Sequence, residues 1–129
     1  MARMNTDKAL VESDLTERVI GVFYSVYNEL GVGFLENVYE NALALALRNA
    51  GLDVEQQTAL AVSFRGHTVG EFRADIVVEK RLILEIKAAE RLTPAHEAQL
   101  INYLKVARIP VGLLLNFGPR AEFKRRIFD

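Results

Sequence analysis

One segment constrains the fold of this chain more than any other. Residues 72–89 read as two apolar strands joined by a short charged turn. If residues 79–81 form a three-residue hairpin loop, the pairing rule sets Asp75 directly opposite Glu85. Lys87, two residues beyond Glu85, projects from the same face of the sheet. The segment therefore predicts a hairpin that carries two carboxylates and a lysine on one side.

The other face of this hairpin is apolar. The same loop length pairs Val78 with Leu82. Alternation along both strands then gives one face six apolar residues, which are Ala74, Ile76, Val78, Leu82, Leu84 and Ile86. A continuous apolar face of this kind predicts a strand pair that packs against a hydrophobic core.

The carboxylate pair has two interpretations. Cβ atoms of directly opposed residues lie roughly 4.5–5.5 Å apart, and like charges at that spacing destabilise a sheet unless a cation lies between them. Mg²⁺ or Mn²⁺ suits this position, since hard cations bind one or two carboxylates with water and phosphate oxygens. The alternative is a surface hairpin on which Asp75, Glu85, Arg73 and Lys87 form weak cross-strand ion pairs.

Length and composition predict one globular domain. The chain has 129 residues, of which 50% are hydrophobic and 26% charged, and it contains no cysteine. We expect a flexible tail over residues 1–12 and a single domain over residues 13–129. The first residues lack the apolar centre of a signal sequence, and no segment approaches the ~18 apolar residues of a membrane span. A cytoplasmic protein with no membrane association is the expectation.

Charge bears on possible partners. The formal net charge is −1, whereas nucleic-acid binding that is independent of sequence rests on an excess of lysine and arginine. Basic residues nevertheless crowd the last quarter of the chain: Lys105, Arg108, Arg120, Lys124, Arg125 and Arg126. This cluster is either a phosphate-binding patch or a solvated surface.

The order of elements predicts an α/β (α+β) fold. Asp14 and Glu17 suggest a capping box before a first helix, and a second helix is expected over residues 35–49. Strands follow over residues 59–64, 68–78 and 82–88. Thr93 and Pro94 open a helix to about residue 106, and a buried strand at 111–116 and an edge strand at 122–128 complete the chain. We predict a mixed sheet of four to five strands flanked by helices.

Two further groups of polar residues lie on predicted helices. Glu36 and Tyr39 share a face of the second helix, after Gly33. Gln99 and Tyr103, which are one turn apart, share a face of the later helix. His96 lies on the same side of the later helix as Gln99. Each group alone is weak evidence, because a tyrosine usually packs and a lone histidine is usually a surface residue.

Taken together and in this order, these motifs resemble a known family. Gly33-x-x-Glu36-x-x-Tyr39 is the signature of the GxxExxY proteins, which are placed in the PD-(D/E)XK nuclease superfamily. The similarity continues through residues 72–75, 85–87 and 99–103 and the run from residue 112 to 117. The position of the superfamily's proline is occupied by Ala74, which changes backbone shape and removes no ligand.

The resemblance implies a restriction-endonuclease-like core and a role for each residue. It implies that Asp75, Glu85, the Ile86 carbonyl and Glu36 are ligands of Mg²⁺ or Mn²⁺, and that Lys87 is the catalytic lysine. Gln99 and Tyr103 resemble a Gln-x-x-x-Tyr motif of exonuclease-like members, which organises the site or the DNA strand.

Three functional hypotheses follow. The first is a metal-dependent phosphodiesterase acting on nucleic acid, most simply DNA, with Arg73, Lys105 and Arg125 contacting phosphates. The second is a catalytically silent nuclease-fold module that binds nucleic acid or protein. The third is an oligomeric partner protein, for instance a homodimer formed through the aromatic residues of the first helix; packing of those aromatics within one chain is the alternative.

Overall fold

The protein is described by a computed structural model over residues 11–128, which contains three helices and five strands. The helices are α1 (Ser13–Leu30), α2 (Glu36–Asn49) and α3 (Pro94–Ala107). The strands are β1 (Val54–Phe64), β2 (His67–Val78), β3 (Leu82–Lys87), β4 (Val111–Phe117) and β5 (Ala121–Ile127). The predicted order of elements is confirmed, and β1 begins five residues earlier than expected. Most of the predicted tail lies outside the described residues.

The five strands form one mixed sheet in the order β1-β2-β3-β4-β5. All neighbours are antiparallel except β3 and β4, which are parallel. Parallel neighbours need a crossover connection, and α3 supplies it. The predicted mixed sheet flanked by helices is confirmed, as is the edge position of the last strand.

Helices cover both faces of the sheet. The hydrophobic cluster on one face contains buried residues of α1 and α2, and the cluster on the other contains those of α3. The paired part of β2 and β3 is therefore buried on both sides, whereas the first half of β2 is largely exposed. Ala74 lies in the α3 cluster while Ile76 lies in the other, so the predicted single apolar face is wrong at Ala74. The alternation shifts at Asp75, beside a left-handed residue of β1, Gln57.

Helix ends were predicted correctly for α3 and incorrectly for α1. Thr93 caps α3, its hydroxyl accepting from the backbone N–H of His96, whose Nδ1 accepts from the Thr93 N–H. His96 is thus a capping residue. At α1 the residue before the helix is Glu12 in a left-handed conformation with no side-chain cap, so the predicted Asp14 capping box is wrong. Asp14 instead lies within the first turn, where its charge faces the positive end of the helix dipole.

The first helix packs within the chain. Phe23 is fully buried, and the hydroxyl of Tyr27 donates to the Gly118 carbonyl at 2.8 Å. Both rings contact Phe117 of β4, with Phe23 meeting it edge-on at 4.9 Å between centroids. Phe23 and Tyr27 thus pack inside the chain as expected, whereas Tyr24 remains partly exposed. No helix within residues 11–128 combines the length and apolar character needed to cross a bilayer.

Close packing of α3 on the sheet depends on Gly112 in β4. A Cβ at this position would lie 2.7 Å from a methyl carbon of Leu100 and 3.0 Å from one of Leu104. Glycine therefore lets the helix approach the strand, and this approach sets the height at which α3 presents its side chains beside β3.

Candidate active site

Asp75 and Glu85 lie where β2 and β3 stop pairing. The ladder contains Val78 with Leu82, as predicted, and ends at Ile76 with Leu84. Beyond it the two side chains replace the backbone bonds: the Asp75 N–H donates to Glu85 Oε2 at 2.9 Å, and the Ile86 N–H donates to Asp75 Oδ2 at 2.8 Å. The carboxylates consequently lie side by side, each held by one backbone N–H of the other strand.

Burial and mutual repulsion disfavour the charged form of this pair. Glu85 is only 3% exposed. Desolvation, followed by the negative charge of Asp75, raises the pKa of Glu85 to about 8. Burial is also the largest cause of the raised pKa of Asp75; the Ile86 N–H lowers it and the Glu40 charge raises it further. A cation between the two carboxylates would relieve both effects.

Lys87 begins a chain of polar contacts from β3 to α3. Its Nζ donates to Gln99 Oε1 at 3.1 Å, and Gln99 Nε2 donates to the Tyr103 hydroxyl at 3.1 Å. Burial, then the charges of Glu85 and Asp75, raise the pKa of Tyr103, so its hydroxyl stays protonated. Lys87, Gln99 and Tyr103, which the sequence singled out, thus lie in one continuous network.

The two side chains of the Gly33-x-x-Glu36-x-x-Tyr39 segment have different roles. Tyr39 is fully buried and stacked on Phe117 at 4.4 Å, and its hydroxyl donates to the Gly31 carbonyl at 2.6 Å and accepts from the Phe34 N–H at 3.2 Å. It secures the loop that precedes α2. Glu36 is exposed at the first turn of α2, and its Oε2 accepts from the Ala88 N–H at 3.3 Å, next to Lys87.

The donor set fits a hard divalent cation held by two protein carboxylates. Within residues 11–128 no three histidine, cysteine or acidic residues cluster closely enough to bind a metal together, so Glu36 stands apart from Asp75 and Glu85. Mg²⁺ commonly takes only one or two carboxylates and fills its other positions with water and substrate oxygens. One oxygen of each carboxylate is held by a backbone N–H, and Asp75 Oδ1 also accepts from Gln57. Because a carboxylate has about four lone-pair sites, each of the two retains sites for a metal.

Two residues beside the site were not singled out from the sequence. Glu40 is 8% exposed and accepts hydrogen bonds from Gln56 Nε2 at 2.9 Å and Gln57 Nε2 at 2.8 Å. Gln57 Nε2 also lies 3.4 Å from Asp75 Oδ1. Glu40 had a signal, since it follows Glu36 by one helical turn. Gln57 had no such signal in the sequence. The direction of its side chain depends on an irregular backbone conformation, which the sequence does not indicate.

The predicted phosphate-contacting residues are spread over the molecule. Arg73 is exposed near Asp75, and its guanidinium donates to the Gln57 carbonyl at 2.9 Å. Lys105 lines a surface cavity of about 370 Å³ between α3 and β1, together with Arg108 and Asn102. Arg125 lies on the edge strand β5 and donates to the Val11 carbonyl. Arg73 thus lies beside Gln57, Lys105 lies between α3 and β1, and Arg125 contacts the segment that precedes α1.

The sheet order, the parallel β3–β4 crossover and the carboxylates where β2 and β3 separate define a restriction-endonuclease-like α/β fold. A model of the PD-(D/E)XK nuclease superfamily matches residues 13–126, and the chain belongs to this superfamily. Members of the superfamily are generally nucleases that use divalent metals.

A solved structure supports the fold. The crystal structure of SSO0001 is similar with a TM-score of 0.58 and 22% sequence identity over 95% of this chain. This chain spans 62% of that structure's length. No curated protein sequence matches the chain.

Proposed function

We propose that this protein is a nuclease that uses Mg²⁺ or Mn²⁺ to hydrolyse phosphodiester bonds in DNA. The observation that carries the proposal is the reciprocal bonding of Asp75 and Glu85 with a lysine two residues away. Two buried like charges held side by side are costly unless a proton or a metal ion neutralises one of them, and a divalent ion can displace the proton. We assign the chain to the GxxExxY group within its superfamily and expect it to act in the cytoplasm.

Asp75 and Glu85 would hold the metal, with the Ile86 carbonyl and Glu36 as further oxygen donors. A bound divalent ion lowers the pKa of a coordinated water and polarises a phosphoryl oxygen. Glu36 accepts from the Ala88 N–H and would reach the site through water, because it does not cluster with the other two carboxylates. The backbone N–H bonds keep the inner carboxylates oriented before substrate arrives.

Lys87 supplies the positive charge of the site. Its ammonium group, held by Gln99, would orient the attacking water or stabilise the charge that develops on the phosphoryl oxygens. Gln99 and Tyr103 line the site, and the protonated Tyr103 hydroxyl is available as a donor to a phosphate oxygen.

The surface between the site and the far end of α3 would carry the nucleic acid. Lys105 follows Gln99 by six residues, which is roughly 9 Å along a helix. Arg73 and Lys105 are exposed and would contact phosphates; Arg125 would do so only from the far edge of the sheet. Since the net charge is −1, we expect binding to be weak.

A cleavage assay tests the proposal. Purified protein should cleave single-stranded, double-stranded or flap DNA with Mg²⁺ or Mn²⁺ and lose the activity with a chelator. Glu85→Gln and Lys87→Met should each reduce cleavage at least about a hundredfold. Glu55→Gln and Lys80→Met change the same residue types at exposed positions and should leave it intact. Inactivity on every DNA substrate and on RNA, with either metal, would refute the assignment.

A catalytically silent nuclease-fold module is the second candidate. The near-neutral charge favours it, as does the separation of Glu36 from the carboxylate pair. Such a module would bind nucleic acid or protein and leave a DNA substrate uncut, whereas the proposed nuclease must take up Mn²⁺ through Glu85.

A further inference from the structure

Glu40 lies beside Asp75 and Glu85, but within residues 11–128 it does not form a metal-binding group with them. Both of its carboxylate oxygens are occupied by amides: Oε1 accepts from Gln57 Nε2 at 2.8 Å, and Oε2 accepts from Gln56 Nε2 at 2.9 Å. The charge of Glu40 raises the pKa of Asp75 directly, and Glu40 also acts on the site through the residues that it holds.

Gln57 connects Glu40 to Asp75. Its amide nitrogen carries two hydrogens and lies 2.8 Å from Glu40 Oε1 and 3.4 Å from Asp75 Oδ1. The nitrogen must face these acceptors, because the amide oxygen would otherwise face two carboxylates. A neutral donor thus stands between two acidic groups and is oriented by the more deeply buried one.

The backbone of Gln57 has an irregular conformation at the point where its side chain faces Asp75. Its φ is 53°, in the left-handed region that residues with a Cβ rarely adopt. The register passes from Gln56 with Ile76 to Thr58 with Ala74, and Gln57 has no paired residue in β2. The Arg73 guanidinium donates to the Gln57 carbonyl at 2.9 Å and satisfies this irregular segment. Strain of this kind is retained mainly at functional sites.

We propose that Gln57, anchored by Glu40, is a positioning residue for Asp75. It holds Oδ1 in the orientation in which the carboxylate meets the metal, while the Ile86 N–H holds Oδ2. The inference rests on the proposed metal-dependent function, and it adds Glu40 of α2 and Gln57 of β1 to the residues of the site.

The neighbouring Gln56 offers a matched control. It also donates to Glu40, and it joins α2 to β1 through Asn41 Oδ1 at 2.9 Å and through Arg48, which donates to its Oε1 at 3.3 Å. It has no hydrogen bond to Asp75 among the described contacts of residues 11–128. A purely structural role for this amide cluster would thus make Gln56 at least as important as Gln57.

Isothermal titration with Mn²⁺ separates the two roles. Gln57→Met and Gln56→Met keep chain length and Cβ but remove the donor. We expect Gln57→Met to weaken Mn²⁺ binding about tenfold, the lower end for residues that orient a metal ligand. Gln56→Met should stay within about twofold of the unmodified protein, because its side chain donates to Glu40 and Asn41 and not to Asp75. Melting temperatures in chelator should fall at least as much for Gln56→Met as for Gln57→Met.

Equal Mn²⁺ affinities for the two variants would overturn the inference. If the unmodified protein binds Mn²⁺ and Glu85→Gln does not, while Gln57→Met binds like the unmodified protein, the inference alone fails. If the unmodified protein takes up no Mn²⁺, the proposed function fails and the inference with it.

Discussion

Glu85 is a buried carboxylate whose ionisation is coupled to folding. Its pKa is about 8 in the folded protein, raised by burial and by Asp75, whereas an exposed glutamate titrates near 4.5. The native state therefore holds a proton that the unfolded chain releases. The resulting stabilisation is fully present below pH 4.5 and is lost as the pH rises through about 8. The raised pKa of Asp75 acts in the same direction.

For the metal-free protein, we predict that the free energy of unfolding falls as the pH rises from 4.5 to about 8. One proton contributes at most about 1.4 kcal/mol per pH unit. Denaturant titrations in chelator across this range measure the slope. Glu85→Gln should reduce the slope of the unfolding free energy against pH, whereas Glu55→Gln, at an exposed position, should leave the slope unchanged. Equal slopes for the two variants would contradict the prediction.

Tyr39 illustrates a motif residue whose role is structural. Tyr39→Phe keeps the stacking on Phe117 but loses the hydroxyl contacts with Gly31 and Phe34. We predict a loss of about 1–2 kcal/mol in the free energy of unfolding, because two hydrogen bonds to the backbone of the loop before α2 are lost. Denaturant unfolding measures it, with the partly exposed Tyr24→Phe as control. A larger effect on Mn²⁺ affinity than on stability would place Tyr39 in the site instead.

At the scale of elements, local patterns predicted most of the architecture. Alternation identified the hairpin, Thr93 and Pro94 marked the start of α3, and the all-apolar β4 indicated a strand buried on both faces. The buried face of α2 was harder to predict, because apolar residues lie on both of its sides. Tyr39 and Leu43 face the core, while Leu45 is exposed.

Helix α3 provides a test of how packing positions the site. Gly112→Ala would bring a Cβ to 2.7 Å from Leu100 and 3.1 Å from the Ile83 carbonyl. We predict a loss of about 1–3 kcal/mol in stability from overpacking. Cleavage should fall as well, because α3 would move Gln99 away from Lys87. At Gly21 in α1 an added Cβ has no heavy atom within 4 Å. Gly21→Ala should therefore stabilise the folded protein by about 0.5–1 kcal/mol. Similar effects of the two changes would contradict this account.

For the whole molecule, the sequence predicted the residues that pairing rules bring together and missed those that depend on tertiary irregularity. Asp75, Glu85 and Lys87 follow from one loop length. Glu40 and Gln57 reach the same place through the docking of α2 on β1 and a left-handed residue within a strand. Only the spacing of Glu40 from Glu36 hinted at this arrangement in the sequence, because the docking of α2 on β1 and the left-handed backbone of Gln57 have no recognisable sequence pattern.

Proton release on metal binding tests the central claim most directly. At pH 7 a glutamate with a pKa of about 8 is mostly protonated, so Mn²⁺ binding between Asp75 and Glu85 must displace that proton. Calorimetry in two buffers of different ionisation enthalpy should report about one proton released per Mn²⁺ bound. Glu85→Gln should bind no Mn²⁺, and Glu55→Gln should behave like the unmodified protein. Binding without proton release, or unchanged binding by Glu85→Gln, would contradict a metal held between these two carboxylates.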